Sequence, residues 1–214
     1  MPAVPFVRCH LSGDVCRSDP YNTRMMHGLE VGFQLDQLWH ALRGEMETTK
    51  RPALVALGRV LRDANVRYAI IGGIALQVHQ ADPRTTLDID LAVARFDAIP
   101  RAALEAAGFQ YGGRFAHSDN WIGPSGVPVQ FTEDPALTPA LERAVEIELD
   151  GVPLRVIQRG DLLHEKIRAG SDPAGRGSKR LQDFADAKAI LEQVPALRAE
   201  LNEAERALLD ALPG

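Results

Sequence analysis

The chain has 214 residues, 45% of them apolar, which is enough for one large domain or two small ones with a well-packed core. Its 24 Lys and Arg against 29 Asp and Glu give a formal net charge of -5, which argues against general binding to polyanions. With only two cysteines, no apolar run of membrane-spanning length and no signal-peptide pattern, the sequence predicts a cytoplasmic protein that does not contact a membrane.

Three regions follow from the pattern along the chain. Residues 1–27 are rich in Pro, Gly and polar side chains without a sustained period, which predicts a loose N-terminal extension. Residues 28–158 are predicted to form an α/β domain, and residues 159–214 a helical C-terminal region that completes its site.

The hydrophobic periods predict helices and strands within these regions. Helices are predicted at Leu35–Leu42, Pro52–Ala64, Ile74–Gln80, Arg101–Ala107, Asp161–Ala169, Leu181–Val194 and after Asn202. Strands are predicted at Tyr68–Ile71, Leu87–Ala94, Val127–Phe131, Val145–Leu149 and Val152–Ile157. Asp150-Gly151, between the last two strands, is typical of a two-residue hairpin turn.

A glycine pair, Gly72-Gly73, lies between the first strand and the helix after it. The pair could form an ordinary tight turn, since glycine adopts backbone angles that other residues avoid. At the start of a helix, however, two glycines also let a phosphate approach free backbone N–H groups, where the helix dipole favours negative charge. We therefore interpret Gly72 and Gly73 as a phosphate-binding turn.

The next strand carries two carboxylates, Asp88 and Asp90, at alternate positions. Side chains alternate across a strand, so both acids should face one side and Leu87, Ile89 and Leu91 the other. An exposed strand face is the simpler alternative, but two acids within an apolar run repel each other unless a cation lies between them. Carboxylate oxygens without nearby His or Cys favour Mg²⁺, with Mn²⁺ as an alternative.

Other candidate residues lie around this pair or follow it. Arg84 can steady the loop or contact a phosphate, and Thr86 can form a local hydrogen bond, although either could lie in a solvated turn. Lys166 lies in a region, Arg155–Arg180, with seven basic and three acidic residues, a charge that suits a triphosphate or an RNA backbone. Asp183 and Asp186 share a helix face and could orient Lys166 or pair with Lys179 and Arg180.

Taken together, the motifs Gly-Gly-Ile-Ala-Leu, Arg-Thr-Thr-Leu-Asp-Ile-Asp-Leu, Lys166 and Arg-Leu-Gln-Asp-Phe-Ala-Asp resemble the nucleotidyltransferase superfamily. The resemblance covers about residues 52–194 and is closest to the AbiEii-type toxins of abortive-infection and toxin–antitoxin systems. It implies a nucleotidyltransferase-like mixed β-sheet flanked by helices, use of Mg²⁺ and a nucleoside triphosphate, and an acceptor that is tRNA in some relatives. An antitoxin partner is a further expectation.

The same resemblance implies roles for the candidate residues. Asp88 and Asp90 would bind the metal, and Lys166 would contact the triphosphate. The nucleotide-binding set would be Gly72, Gly73, Arg84, Thr86, Lys166, Asp183 and Asp186, with Asp183 or Asp186 as the supporting acid.

The chain departs from the superfamily at the predicted third central strand. Many members carry a third carboxylate there, whereas this chain has Gln130, and an amide cannot act as a general base. Glu133 and Asp134, just beyond the strand, are possible substitutes.

The sequence therefore predicts a Mg²⁺-dependent nucleotidyltransferase, of toxin type, that transfers a nucleotidyl group to an acceptor hydroxyl. Two alternatives remain at this point. The chain could be a catalytically impaired nucleotide-binding or regulatory protein of the same fold, or an adenylyltransferase that modifies a small molecule such as an antibiotic.

Overall fold

The computed structural model describes residues 20–43, 50–80 and 84–212. Its helices are α1 (Pro20–Leu42), α2 (Arg51–Asp63), α3 (Gly72–His79), α4 (Arg101–Ala106), α5 (Thr138–Arg143), α6 (Arg159–Ser171), α7 (Gly177–Gln193) and α8 (Glu203–Asp210). Its strands are β1 (Tyr68–Ile71), β2 (Ile89–Val93), β3 (Gln110–Arg114), β4 (Asp119–Ile122), β5 (Pro128–Thr132), β6 (Val145–Leu149) and β7 (Val152–Val156). The predicted α/β class is confirmed.

The strands form one mixed sheet in the order β3-β4-β5-β2-β1-β7-β6. Strand β2 pairs antiparallel with β1 and parallel with β5, and β1 pairs parallel with β7. Strand β1 is buried along its whole length, as expected for a strand in the middle of a sheet. The sheet therefore places Asp90 of β2, and Asp88 just before that strand, at its centre.

The helices cover the sheet with their apolar faces. In α2 the buried residues Ala53, Leu54, Leu57 and Leu61 recur at helical spacing, and this helix packs against β7. Helices α6 and α7 pack against each other, and α6 also contacts α3. The hairpin turn is confirmed, because Asp150 and Gly151 both have positive φ (51° and 72°), as its two central positions require.

The N-terminal prediction is wrong for residues 20–27, which belong to α1 instead of a loose extension. Met25, Leu29 and Phe33 recur at four-residue spacing and are buried, so this part of the helix is held by packing. Residues 1–19, including Cys9 and Cys16, lie outside the described part of the chain. The division into 28–158 and 159–214 stays a prediction, although α6 begins at Arg159, next to that boundary.

One residue of the acidic strand also differs from expectation. Leu87 was expected on the apolar face, but β2 begins at Ile89 and Leu87 is 59% exposed. Ile89 and Leu91 are buried, as the alternation predicts. None of the helices within residues 20–43, 50–80 and 84–212 is long and apolar enough to cross a membrane.

Candidate active site

A single cleft of about 640 Å³ collects most of the predicted site residues. The predicted residues that line it are Gly72, Gly73, Arg84, Thr86, Asp88, Asp90, Lys166 and Asp183. Asp186 lies behind this lining and binds two of its members, Arg84 and Lys166. Elements far apart in the chain, β1–α3, β2 and α6–α7, thus meet at one place.

The glycine pair gives two side chains room to lie against the backbone. Gly72 begins α3 with φ of +62°, a left-handed conformation that favours glycine. A Cβ atom at Gly72 would collide with Oδ2 of Asp90, and one at Gly73 would collide with the side chain of Thr86. The pair therefore accommodates Asp90 and Thr86, a role that the sequence interpretation did not include, while phosphate binding at this turn stays a prediction.

Asp88 and Asp90 differ in their surroundings. Asp88 accepts a hydrogen bond from Oγ1 of Thr86 (2.9 Å), which is the local bond expected for Thr86. No hydrogen bond reaches the Asp90 carboxylate within the described residues. Burial, followed by the neighbouring Asp88 carboxylate, raises the pKa of Asp90 from 3.8 to about 7.

The two acids fit a hard divalent cation. A partly buried, unpaired carboxylate beside a second one is costly unless a positive charge joins them. Within the described part of the chain no group of three or more His, Cys, Asp or Glu forms a closed metal cage. Mg²⁺ does not require such a cage, because it is commonly held by one or two carboxylates together with water and substrate phosphates.

Gln130 lies beside Asp90 on the neighbouring parallel strand. The register pairs Asp90 with Gln130, so the two side chains face the same side of the sheet, and Gln130 lines the cleft. The structure thus places an amide where a third carboxylate was expected.

The two proposed substitutes for that carboxylate are engaged elsewhere. Glu133 accepts a hydrogen bond from the backbone N–H of Phe96 (2.7 Å). Asp134 accepts one from the N–H of Ala136 (2.9 Å) and pairs with Arg168 (2.6 Å). Neither residue lines the cleft, so the structure does not support either as a replacement.

Lys166 is only 1% exposed and is surrounded by acids. Its Nζ donates to Oδ1 of Asp183 (2.8 Å) and lies 3.5 Å from Oδ2 of Asp186. Burial alone would lower the pKa of Lys166, but Glu165 and Asp183 outweigh it, so the pKa lies above its usual value. Lys166 therefore keeps its charge.

Arg84 joins the loop before β2 to α7. Its guanidinium binds Asp186 through two hydrogen bonds (3.0 and 2.9 Å), and its carbonyl oxygen accepts one from Nε2 of Gln77 (3.0 Å). Such a bidentate pair fixes geometry as well as charge. Of the two roles considered for Arg84, these contacts favour steadying the loop.

The contacts of Asp183 resolve the alternatives left open for the acidic helix. Asp183 binds both Lys166 and Lys179 (2.8 and 3.0 Å). Arg180 instead donates to the carbonyl oxygen of Gly170. The two acids of α7 thus hold Lys166 and Arg84 in place, and Lys179 shares Asp183.

The predicted basic region does not form one surface. Of its seven basic residues, only Lys166, Arg176 and Lys179 line the cleft. Arg155 and Arg159 do not line the cleft and donate instead to the carbonyl oxygens of Leu141 and His79. The seven basic residues therefore face different sides, and three of them lie where they could contact a triphosphate or an RNA backbone.

Glu165 is a site residue that the sequence interpretation did not select. It lines the cleft, and its Oε2 is buried without a hydrogen-bond partner, 3.9 Å from Nζ of Lys166. Burial raises the pKa of Glu165, and its charge contributes to the raised pKa of Asp90. The only sequence signal was its position next to Lys166.

Comparisons with known proteins give one family match. A family model described as "Nucleotidyl transferase AbiEii toxin, Type IV TA system" matches residues 55–212. A search of curated proteins gives no match.

Solved structures show a similar fold. The crystal structure of ANT(2")-Ia in complex with adenylyl-2"-tobramycin has a TM-score of 0.51 at 20% identity. The match spans 74% of this chain and 98% of the ANT(2")-Ia chain. The crystal structure of the Megavirus polyadenylate synthase has a TM-score of 0.52 at 15% identity. The match spans 89% of this chain and 41% of the synthase chain. At these identities the likeness concerns the fold alone.

Proposed function

Because the chain belongs to the AbiEii family of nucleotidyltransferases, we propose that it transfers a nucleotidyl group from a nucleoside triphosphate to an acceptor hydroxyl with the help of Mg²⁺. One observation carries the proposal most directly. The half-buried carboxylate of Asp90 has no hydrogen-bond partner within the described residues, lies beside Asp88 and packs against Gly72. Such an arrangement is costly for a structural site and useful for a metal site.

The residues of the cleft divide the work of the reaction. Asp88 and Asp90 would hold the cation, which would act as a Lewis acid and offset the charge that develops on the phosphates. Arg176 and Lys179 lie exposed at the same cleft, and we assign them to the triphosphate. Lys166, predicted as a triphosphate contact, lies deeper, where its retained charge offsets the neighbouring acids and ties α6 to α7.

The acceptor hydroxyl must lose a proton as its oxygen bonds to the α-phosphorus and the bond to pyrophosphate breaks. Gln130 cannot take that proton, and Glu133 and Asp134 are engaged outside the cleft. Of the cleft carboxylates that are not assigned to the metal, Asp183 is held by Lys166 and Lys179, so we assign proton acceptance to Glu165.

For the acceptor we propose RNA, with tRNA as the first candidate, and for the partner an antitoxin protein. The support for RNA is the resemblance to the AbiEii-type proteins, which implies a tRNA acceptor in some relatives, since Arg176 and Lys179 are already assigned to the triphosphate. A small cationic acceptor is the competing candidate, because the acids Asp88, Asp90 and Glu165 line the same cleft. The name of the ANT(2")-Ia structure gives adenylyl-2"-tobramycin as its ligand, which makes aminoglycosides the natural compounds to compare.

The test is incorporation of label from each of four α-labelled nucleoside triphosphates with Mg²⁺. Parallel reactions contain total RNA, purified tRNA or a panel of aminoglycosides. We expect label in RNA with the wild type and none with Asp88→Asn or Asp90→Asn, each folded by circular dichroism. Undiminished transfer by either variant would contradict the assignment of the site, and label in an aminoglycoside alone would contradict the assigned acceptor.

Calorimetry separates an enzyme from an impaired binding protein. An enzyme binds the nucleotide with Mg²⁺ and releases pyrophosphate when an acceptor is present. Binding that never leads to pyrophosphate release with any acceptor would favour the regulatory alternative.

A further inference from the structure

A buried ion pair lies outside the part of the chain that the family model matches. Asp36 of α1 and Lys50, just before α2, are 2% and 3% exposed and bind each other, whereas the family match begins at residue 55. Removing two charges from water costs free energy that their mutual attraction often fails to recover. A buried pair is therefore weak evidence for stability, and its other contacts indicate what it does.

The pair reaches the candidate metal ligands through Thr86. Nζ of Lys50 also donates to the carbonyl oxygen of Thr86, and the hydroxyl of the same Thr86 donates to Oδ1 of Asp88 (2.9 Å). The Thr86 side chain in turn lies against Gly73. Three successive hydrogen bonds thus connect α1 to Asp88.

Helix α1 is itself fixed close to the site. Gly28 and Gly32 lie one helical turn apart, and a Cβ atom at either would collide with Gln77 of α3. Gln77 donates to the carbonyl oxygen of Arg84, at the other end of the same loop. The loop from Arg84 to Asp88 is therefore held by α1 through Lys50 and by α3 through Gln77.

We propose that Lys50, held by Asp36, is a positioning residue that orients Asp88 for the divalent cation. With the Thr86 carbonyl fixed by Lys50, the Thr86 hydroxyl donates to Oδ1 of Asp88, and the carboxylate that would hold the cation keeps a fixed orientation. Partners that orient metal ligands typically change metal affinity by about 10- to 100-fold when they are removed. The inference rests on the proposed function and assigns the N-terminal helix a part in it.

The test uses the full chain and Mn²⁺ alone, followed by the electron paramagnetic resonance signal of the free ion, with Mg²⁺ as competitor. Mn²⁺ takes the same oxygen ligands as Mg²⁺. We expect Lys50→Met to raise the Kd for Mn²⁺ by about 10-fold or more. Arg51→Met is the matched control, since Arg51 binds Glu30 and Asp150 at the surface and should leave the Kd unchanged.

Two further variants cover the case in which Lys50→Met fails to fold because Asp36 is left buried and unpaired. Asp36→Leu combined with Lys50→Met removes both charges, and Thr86→Val removes only the hydrogen bond to Asp88. Both should raise the Kd for Mn²⁺ in the same way. Lys50→Arg keeps a positive charge at this position and should bind Mn²⁺ more tightly than Lys50→Met does. A role in folding alone would lower stability without changing the Kd of the folded protein.

The outcomes for the inference and for the proposed function are distinct. A wild type that binds Mn²⁺, with an equal Kd in Thr86→Val and in the Asp36/Lys50 double variant, overturns the role of Lys50 and leaves the metal site intact. If the wild type binds no Mn²⁺, or if Asp90→Asn does not weaken its binding, the metal site is overturned and the inference with it.

Discussion

Asp90→Asn should make the metal-free protein more stable while removing its metal site. The pKa of this carboxyl is about 7 in the folded protein against 3.8 for the ordinary group, with burial as the first cause. The unfolded chain therefore releases the proton first, and the folded state loses stability as the pH rises from about 4 to about 7. An asparagine of similar shape carries no charge and avoids this loss.

The magnitude follows from the two pKa values. One pKa unit corresponds to about 1.4 kcal/mol, so the raised pKa of Asp90 costs the fold about 4 kcal/mol at pH 8, where the group is ionised, and roughly 1 to 2 kcal/mol at pH 5, where the folded protein keeps the proton. The stability gained by Asp90→Asn should therefore grow by about 3 kcal/mol between these pH values. The matched control is Asp97→Asn. Asp97 is an exposed carboxylate that lies beyond the C-terminal end of β2 and pairs with Arg95.

Urea denaturation at pH 5 and pH 8, without divalent ions, measures this difference. Added Mg²⁺ should then stabilise the wild type, because a ligand that binds only the folded state raises its stability, and should leave the variant unchanged. An Asp90→Asn variant that is less stable than the wild type at pH 8, or a gain that does not depend on pH, would refute the explanation of the site by charge.

Three further changes test other parts of the site. Lys166→Met should cost about 3–5 kcal/mol in urea denaturation because it leaves Asp183 buried without its main cation, and Lys166→Met with Asp183→Leu should recover most of this; a single variant as stable as the wild type would argue against the buried pair. Gly72→Ala should cost at least about 1 kcal/mol because of its positive φ and should weaken Mn²⁺ binding by displacing Asp90, so unchanged binding would contradict that contact. The apparent affinity for Mn²⁺ should increase about 10-fold from pH 6 to pH 8 as Asp90 ionises, and a flat profile would show that this carboxylate is not a ligand.

The residues that were predictable from sequence belong to elements that are neighbours along the chain. Gly72-Gly73 and Asp88/Asp90 lie on consecutive elements, β1–α3 and β2, and the alternation of side chains places both acids opposite the buried Ile89. Local periodicity therefore suffices to bring these groups together.

The contacts that were not predictable join distant parts of the chain. Arg84 and Asp186 are 102 positions apart, and Lys50 and Thr86 are 36 apart, so no local pattern indicates either pairing. The acid pair of α7 was recognised, but which of its several basic neighbours it binds depends on how α6 and α7 pack.

The start of α1 was missed for a physical reason as well. Gly28 and Gly32 lower helix propensity, which conceals the stripe of Met25, Leu29 and Phe33. The structure shows that these glycines allow α1 to pack closely on Gln77. The residues that weakened the local helix signal are thus the ones that fix the helix in the fold.

The central claim, nucleotidyl transfer at Asp88 and Asp90, is tested most directly by comparing the fate of two phosphates of one substrate. The protein is incubated with Mg²⁺, total RNA and the same nucleoside triphosphate labelled either at the α- or at the γ-phosphate. We expect the α label in RNA and the γ label only in pyrophosphate, with neither transferred nor released by Asp88→Asn. Transfer of the γ label to the acceptor, or equal transfer of the α label by Asp88→Asn, would contradict the proposed reaction or its site.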